Sequence, residues 1–259
     1  MSISETKVSL AETRTPGPID RIGLFLARKG RRVWRMTVAA KQAVAPRMIR
    51  VEFAVPDVHE LDWKRGQDLV LELPHAGGIA RRHYTIRAID TAKRTLTIDF
   101  VEHGSSPAGD WVRDAGEGSV IEASGPRGHT YLREADWHLF AGDETCIPGI
   151  FAMLEGLPAG AAAHAFLEIA DDGERQPVPS GASVVWLPRN GTPPGPGRIL
   201  YDAVEAFALP PGRGHAYVIG ETSNVRAIRQ RLIARGLAKE QTSAEGYWRP
   251  GRIGGHDHA

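Results

Sequence analysis

Residues 132–148 read Leu-Arg-Glu-Ala-Asp-Trp-His-Leu-Phe-Ala-Gly-Asp-Glu-Thr-Cys-Ile-Pro, and the character of the chain changes within them. His138–Gly142 is a short apolar run ending in glycine, the mark of a buried strand that meets a turn. From Thr145 to Leu157 the pattern is helical, with Pro148 near the first turn, where its missing N–H costs nothing. Asp143 and Glu144 stand at the helix start, as the macrodipole favours. Upstream the chain is a series of short strands: 33–41, 48–55, 67–74, 83–90, 95–101 and 119–125. They are β-branched or aromatic-rich and bounded by Pro, Gly, Asp or Lys, which predicts a small antiparallel barrel. Downstream, strands at 163–170 and 183–188, a helix at 200–209, a strand at 215–220 and an amphipathic helix at 223–236 alternate. In that last helix Val225, Ile228 and Leu232 share a face. Such alternation predicts a parallel sheet with right-handed crossovers. The expectation is therefore a β plus α/β chain in three parts: an extension over 1–32, a barrel over 33–133 and an α/β unit over 134–259. Within the extension, 1–18 reads as a flexible lead-in and 19–29 as a short helix.

The 259 residues are 42% hydrophobic, enough for a sizeable core. Cys146 is the only cysteine, which excludes a disulfide within the chain and a thiolate metal cluster. No apolar run approaches the roughly 18 residues of a membrane span, and the first 30 residues lack a secretory apolar core. A cytoplasmic protein without membrane insertion is expected, acting as a monomer. The net charge of +1 argues against nucleic acid as a partner. The charge is uneven, however: residues 1–50 carry 11 Lys/Arg against 3 Asp/Glu, and the remainder is acidic. The densest basic stretch is Arg28, Lys29, Arg31, Arg32 and Arg35, which reads as a solvated segment before the first strand.

Four constellations carry chemistry. Arg82-His83-Tyr84-Thr85 puts a cation, a flat aromatic and a small hydroxyl on one strand, suited to a diphosphate, a planar ring and its heteroatoms. His103-Gly104-Ser105-Ser106-Pro107-Ala108, followed by Trp111 and then Gly125-Pro126-Arg127-Gly128, combines a helix start able to meet a phosphate with a turn a ligand can approach. Gly142-Asp143-Glu144-Thr145 lies where a strand end meets a helix, the place an open α/β sheet binds a nucleotide, although no GxGxxG fingerprint is present. The last, Gly246-Tyr247-Trp248-Arg249-Pro250-Gly251-Arg252, reads as a tail folding back over a bound ring. No histidine set has metal-ligand spacing; His256 and His258 read as part of a disordered terminus.

In this order and spacing these stretches resemble the siderophore-interacting protein family, FAD-dependent ferric-siderophore reductases with a ferredoxin-reductase-like fold. The resemblance covers residues 33–252 and rests on RRHYTIR, HGSSPAGDWV with GPRG, AGDETCIP, VVWLPRNG, VIGETSNVRAIR and GYWRPG. It implies an N-terminal antiparallel β-barrel FAD-binding domain, then an α/β parallel-sheet nucleotide-binding domain. Arg82, His83, Tyr84 and Thr85 would hold the flavin. His103, Ser106, Pro107 and Ala108, with Trp111 and Gly125, would lie along the phosphates and adenosine. Asp143, Glu144 and Thr145 would stand at the flavin–nicotinamide junction, Trp186 and Arg189 on the nucleotide side, and Glu221 and Trp248 beside the same site. Three departures occur: Ser106 opens the triplet where glycine is expected, Cys146 replaces an alanine, and Val70 stands where a substrate-binding lysine is expected. Lys64, Arg127, Arg249 and Arg252 are the alternative cations for an anionic ferric siderophore.

The implied reaction takes electrons from NADPH or NADH through FAD to Fe(III). No nucleophile, general base or resident metal is needed. Competing readings are a reductase for ferric chelates or flavins in general, a siderophore binder without redox chemistry, and a reductase fed by ferredoxin. Arg226 and Arg229, one helical turn apart, suit a 2′-phosphate or an acidic partner.

Overall fold

A computed structural model describes residues 32–252, apart from 76, 105 and 180. The expectations for 1–31, for Ser105 and for the terminal histidines lie outside the described residues.

Seven antiparallel strands form the first sheet: β1 (Val33–Ala45), β2 (Met48–Ala54), β3 (Asp68–His75), β4 (Gly78–Thr85), β5 (Ala88–Asp90), β6 (Thr95–Val101) and β7 (Val120–Arg127), in the order β4-β3-β7-β1-β2-β6-β5. The sheet rolls so that β4 at one edge comes back over β6, with the Tyr84 and Phe100 rings 4.4 Å apart. Met36, Val51, Phe53, Leu69, Leu71, Leu73, Ile98 and Phe100 fill its interior. The expected strand over 83–90 is broken at Ile86–Arg87. Ile86 N–H donates to Gln67 O and Arg87 N–H to Thr97 O, so the chain changes partner strand there. A short α-helix, α1 (Pro107–Asp114), begins as expected: Ser106 Oγ accepts from Gly109 N–H at 3.1 Å and Pro107 takes the first turn.

The second sheet is wholly parallel, ordered β10-β9-β8-β11-β12, from β8 (Trp137–Asp143), β9 (Ala162–Ile169), β10 (Ser183–Pro188), β11 (Gly214–Glu221) and β12 (Thr242–Trp248). Every residue of β8 and β11 is buried, as strands covered on both faces must be. One face carries Phe140, Leu167 and Tyr217 against α2 (Ile147–Leu154); the other carries Leu139, Phe166 and Val218 against α3 (Ile199–Ala206) and α4 (Thr222–Ala234). Two helices are shorter than expected. The first turn after β8 is a tight 3-10 turn over Glu144–Cys146 before α2, and α3 ends at Ala206 because Phe207 is extended. A correction concerns the end of the chain. Residues 242–248 are not a tail but the edge strand of the parallel sheet, paired with β11 from Thr242↔Ala216 onward. The alternation rule missed it because only a 3-10 turn, Lys239–Gln241, separates α4 from β12.

The α2 face also packs against Ala45 and Met48 of the first sheet, so one core joins the two halves. Arg87 reinforces the junction with a two-pronged contact to Glu155 at 2.7 and 2.5 Å. Arg65 Nη1 donates to Ala152 O at 3.1 Å. Gly149 lies against Thr85, where an added Cβ would stand 3.1 Å from the Thr85 methyl. The two sheets are thereby held with β4 beside the carboxyl ends of the parallel strands.

Candidate functional site

Between β4 and those carboxyl ends lies a cleft of about 740 Å³. Its walls bring together segments far apart in the chain: Arg81–Thr85 of β4, His103 with Ser106 and Pro107 at the start of α1, Glu144 and Thr145 after β8, and 247–252 after β12. Twelve of the residues singled out in the sequence line it: Arg82, His83, Tyr84, Thr85, His103, Ser106, Pro107, Glu144, Thr145, Trp248, Arg249 and Arg252. Because β4 is a sheet edge, residues of both its faces reach the cleft. Tyr84 stands on Phe100, and burial pushes its phenol pKa up. His83 Nδ1 is 3.1 Å from Asp68 Oδ2, and Thr85 Oγ1 is 3.4 Å from the Tyr247 hydroxyl.

The sheet end supplies a rigid floor. Asp143 caps the turn after β8, where its Oδ1 accepts from Thr145 N–H at 2.9 Å and Thr145 Oγ1–H at 2.5 Å. Its Oδ2 accepts from Glu221 N–H and from Trp248 Nε1–H, both at 2.9 Å. Gly220 permits this approach, with φ +129° and no side chain to strike the carboxylate. Burial, aided by the neighbouring Glu144 charge, raises the Asp143 pKa. Arg189 is buried as well: it grips Glu144 at 2.7 and 2.5 Å and Glu168 at 3.3 Å. Burial raises the Glu168 pKa, and Arg189 works against that. Glu221 caps α4 by accepting from Asn224 N–H at 2.9 Å.

Several expected residues do not reach the cleft wall. Ala108 is buried in the barrel core, and Trp111 packs there against Phe53 and Phe100. Gly125 is a backbone accommodation with φ +138° beside Leu69 and Asp68. Asp143, Arg189 and Glu221 form the layer beneath the wall, and Trp186 packs edge-on against Phe151. Among the cation candidates, Lys64 lies over the Tyr131 ring and Arg127 at the exposed end of β7; only Arg249 and Arg252 border the cleft. Val70 is buried within β3. Neither Arg226 nor Arg229 lines this cleft. They lie along α4 past its first turn, and Arg229 borders a second cavity at the amino ends of the parallel strands, which takes it away from a cofactor phosphate here.

Sequence reasoning passed over Asp68, Asp99 and Pro194, and gave no separate role to Arg81, Asp110, Pro148 and Tyr247 inside the quoted motifs; all are on the wall. Two carried a signal: Asp68 and Asp99 are acids inside strands otherwise apolar, and both prove buried. Asp68 bears on what the cleft can hold. Its Oδ1 is buried without a hydrogen-bond partner among the described residues, and the residue belongs to the cleft lining. That acceptor, an aromatic at the edge strand, a helix start and flanking arginines fit a flavin dinucleotide, which presents ring N–H, a planar system and a diphosphate.

An antiparallel β unit followed by a parallel α/β unit, with a cleft between them, defines a ferredoxin-reductase-like FAD/NAD-binding fold. The FAD/NAD-binding domain of a nitric oxide dioxygenase from Vibrio cholerae shares it, with a TM-score of 0.66 at 16% identity over 83% of this chain and 98% of that one. Residues 67–130 match the model of the siderophore-interacting FAD-binding domain, and 135–251 that of the siderophore-interacting protein. A siderophore utilization protein from T. fusca superposes with a TM-score of 0.80 at 33% identity, over 86% of this chain and 94% of that one. A protein named ferric vibriobactin reductase, from Vibrio cholerae, is 35% identical over 66% of this chain and 65% of its own length. The chain belongs to the siderophore-interacting protein family, a family of FAD-binding reductases. Among the described residues no helix is long and apolar enough to cross a membrane.

Proposed function

We propose that this chain binds FAD in the cleft and passes electrons from NAD(P)H to the Fe(III) of an anionic ferric siderophore, releasing Fe(II). The observation that carries the reading is the convergence of β4, the α1 start and the β12 end on one cleft whose buried Asp68 Oδ1 has no partner among the described residues. Related proteins named for ferric vibriobactin and ferric acinetobactin reduction support the acceptor. In this proposal residues 33–133 form the FAD-binding domain and 134–259 the NAD(P)H-binding domain, working in the cytoplasm, where NAD(P)H is at hand.

Bound FAD would supply the exchange between a two-electron hydride donor and a one-electron acceptor. The chain's own residues bind and orient. Arg82, on the cleft lining, would pair with the diphosphate, a contact guanidinium makes with two parallel hydrogen bonds. Tyr84, backed by Phe100, would give the ring a flat apolar face, and Asp68 would offer an acceptor on the cleft lining. Thr85 and Tyr247 hold the two domains at the point where donor and flavin would meet. Glu144, fixed by Arg189, borders the nicotinamide side. Arg249 and Arg252 at the rim attract an anionic chelate, and Fe(II), less charged than Fe(III), is held less tightly by its anionic oxygen donors once reduced.

The test is the visible spectrum of purified protein under anaerobic conditions, before and after NADPH or NADH and then a ferric siderophore. Flavin bands that bleach with the nucleotide and return with the siderophore carry the proposal. Colourless protein that takes up no added FAD ends it. A flavin that only reduced ferredoxin bleaches removes the NAD(P)H part alone.

A further inference from the structure

At the other end of the parallel sheet lies a second cavity, about 760 Å³, that the proposed redox chemistry does not use. Its walls come from the connection between the sheets (His129, Thr130, Arg133, Glu134), the start of β11 (Arg213, Gly214, His215), Arg229 of α4 and the segment entering β12. Gly214 is at the beginning of β11 and Glu221 at its end, so the two cavities are separated by the length of an eight-residue strand, roughly 23 Å. That distance is too long for an electron donor docked here to serve the flavin cleft directly.

The charge of the cavity is unbalanced in its arginines. Elsewhere Arg50, Arg87, Arg189 and Arg231 each hold a carboxylate within 4 Å. The guanidinium groups of Arg133, Arg213 and Arg229 have no carboxylate partner among the described residues. The Arg133 guanidinium donates to His129 O at 3.4 Å and lies 3.6 Å over the Tyr131 ring; Arg213 Nη2 donates to Glu134 O at 3.1 Å. Glu134 and Glu240 are on the rim but form no ion pair with any of the three. The polar lining is also built in. Thr130 is only 4% exposed. His215, 7% exposed, is fixed by Ser243 Oγ at 2.9 Å.

We infer that this cavity binds a phosphate group of a small phosphorylated ligand, held by Arg133, Arg213 and Arg229 with the Thr130 hydroxyl. Three guanidinium forks and a hydroxyl match a tetrahedral dianion with several acceptor oxygens better than a single carboxylate. The volume leaves room for more than the bare ion. His215 is a reporter within the wall. Burial first, then the Arg133, His138 and Arg213 charges, lower its pKa to about 4. A phosphate anion seated on those arginines, a monoanion at the pH where this imidazole titrates, cancels part of their field, so the imidazolium becomes easier to form and the pKa rises.

The experiment titrates inorganic phosphate into the FAD-loaded protein at constant ionic strength, following the His215 imidazole by NMR. The result expected is a saturable shift of the His215 resonances and a titration midpoint moved up from near 4. In Arg229→Gln, with flavin spectrum and melting temperature unchanged, the phosphate affinity should fall about tenfold or more, the loss of one charge-assisted pair. Chloride at the same ionic strength should give no saturable change. A His215 that does not respond overturns the inference, as does an equal response in wild type and Arg229→Gln. The flavin bands report the redox site separately, so failure here is distinct from failure of the proposed function.

Discussion

Replacing Asp143 with alanine tests whether the carboxylate beneath the cleft holds the end of β12 in place. Four donors converge on it: Thr145 N–H, Thr145 Oγ1–H, Glu221 N–H and Trp248 Nε1–H. The Thr145 hydroxyl can turn towards Cys146 Sγ, 3.5 Å away, so three N–H groups are left without an acceptor. Each buried donor stranded in this way costs about 1–3 kcal/mol. Against this stands the relief of removing a carboxylate whose pKa burial already raises. The net expected is roughly 2–4 kcal/mol, which for a protein of this size lowers the melting temperature by about 5–15 °C. Calorimetry on the FAD-free protein measures it, and amide exchange at Glu221 locates it, because that N–H loses its only acceptor. Asp143→Asn keeps one oxygen and should fall by less than half as much. A melting temperature for Asp143→Ala within about 2 °C of wild type would refute the reasoning, whatever happened to activity.

Arg82→Ala should weaken FAD binding by about 10- to 100-fold, the value of a charge-assisted pair, as read by flavin fluorescence quenching on the apoprotein. Arg189→Met strands Glu144 and Glu168 without their shared cation, and should cost about 3–5 kcal/mol in denaturant unfolding, partly recovered in Arg189→Met/Glu168→Gln. His215 has a folded pKa of about 4 against an ordinary 6.5, so its contribution to stability is complete above pH 6.5 and is lost as pH falls towards 4. Unfolding free energy measured over that range should decline less steeply in His215→Asn, and identical slopes would remove the role. Arg249→Ala/Arg252→Ala should slow reduction of an anionic ferric chelate several-fold at low salt and little at high salt; an unchanged salt dependence would take the rim arginines out of substrate capture.

Much of the architecture was legible because it rests on local periodicity. The switch near residue 133 from period-2 strands to strand–helix alternation marks where the antiparallel sheet ends and the parallel one begins, and β8 follows within four residues. What escaped is non-local. Nothing in Thr242–Trp248 announces a strand, because its pairing with β11 is a tertiary choice and no full helix precedes it. The break at Ile86–Arg87 is invisible for the same reason: it follows from the backbone exchanging Gln67 for Thr97 as partner, while the Arg87 side chain meets Glu155, 68 residues away. The site divides likewise. Residues in compact motifs on the edge strand and the α1 start lie on the cleft, since exposure at an edge follows from strand order. Asp143, Arg189 and Glu221 were recognisable as belonging to the region, but which group faces a ligand and which supports it depends on hydrogen bonds between chain segments up to 105 residues apart.

That supporting layer explains how a cleft assembled from four distant segments stays one shape. Asp143 at the end of β8, Glu221 at the end of β11 and Trp248 at the end of β12 are joined through a single carboxylate, so the carboxyl ends of three neighbouring strands are set by one group. Arg189, just beyond β10, reaches across to Glu168 on β9 and Glu144 after β8, and ties the other two strands to the same floor. On the facing wall β4 is an edge strand with one hydrogen-bonded neighbour, so on its own it would be the weakest part of its sheet. Tyr84 on Phe100, Thr85 against Gly149 and Tyr247, and the core shared by α2 with Ala45 and Met48 fix it to that floor. Within the floor, Arg189 is paired with Glu144 and Glu168. Arg82, Arg249 and Arg252 stand on the cleft lining together with Asp68, Asp99 and Asp110, so substitutions on the lining can alter substrate preference while Asp143, Arg189 and Glu221 keep the two domains in register.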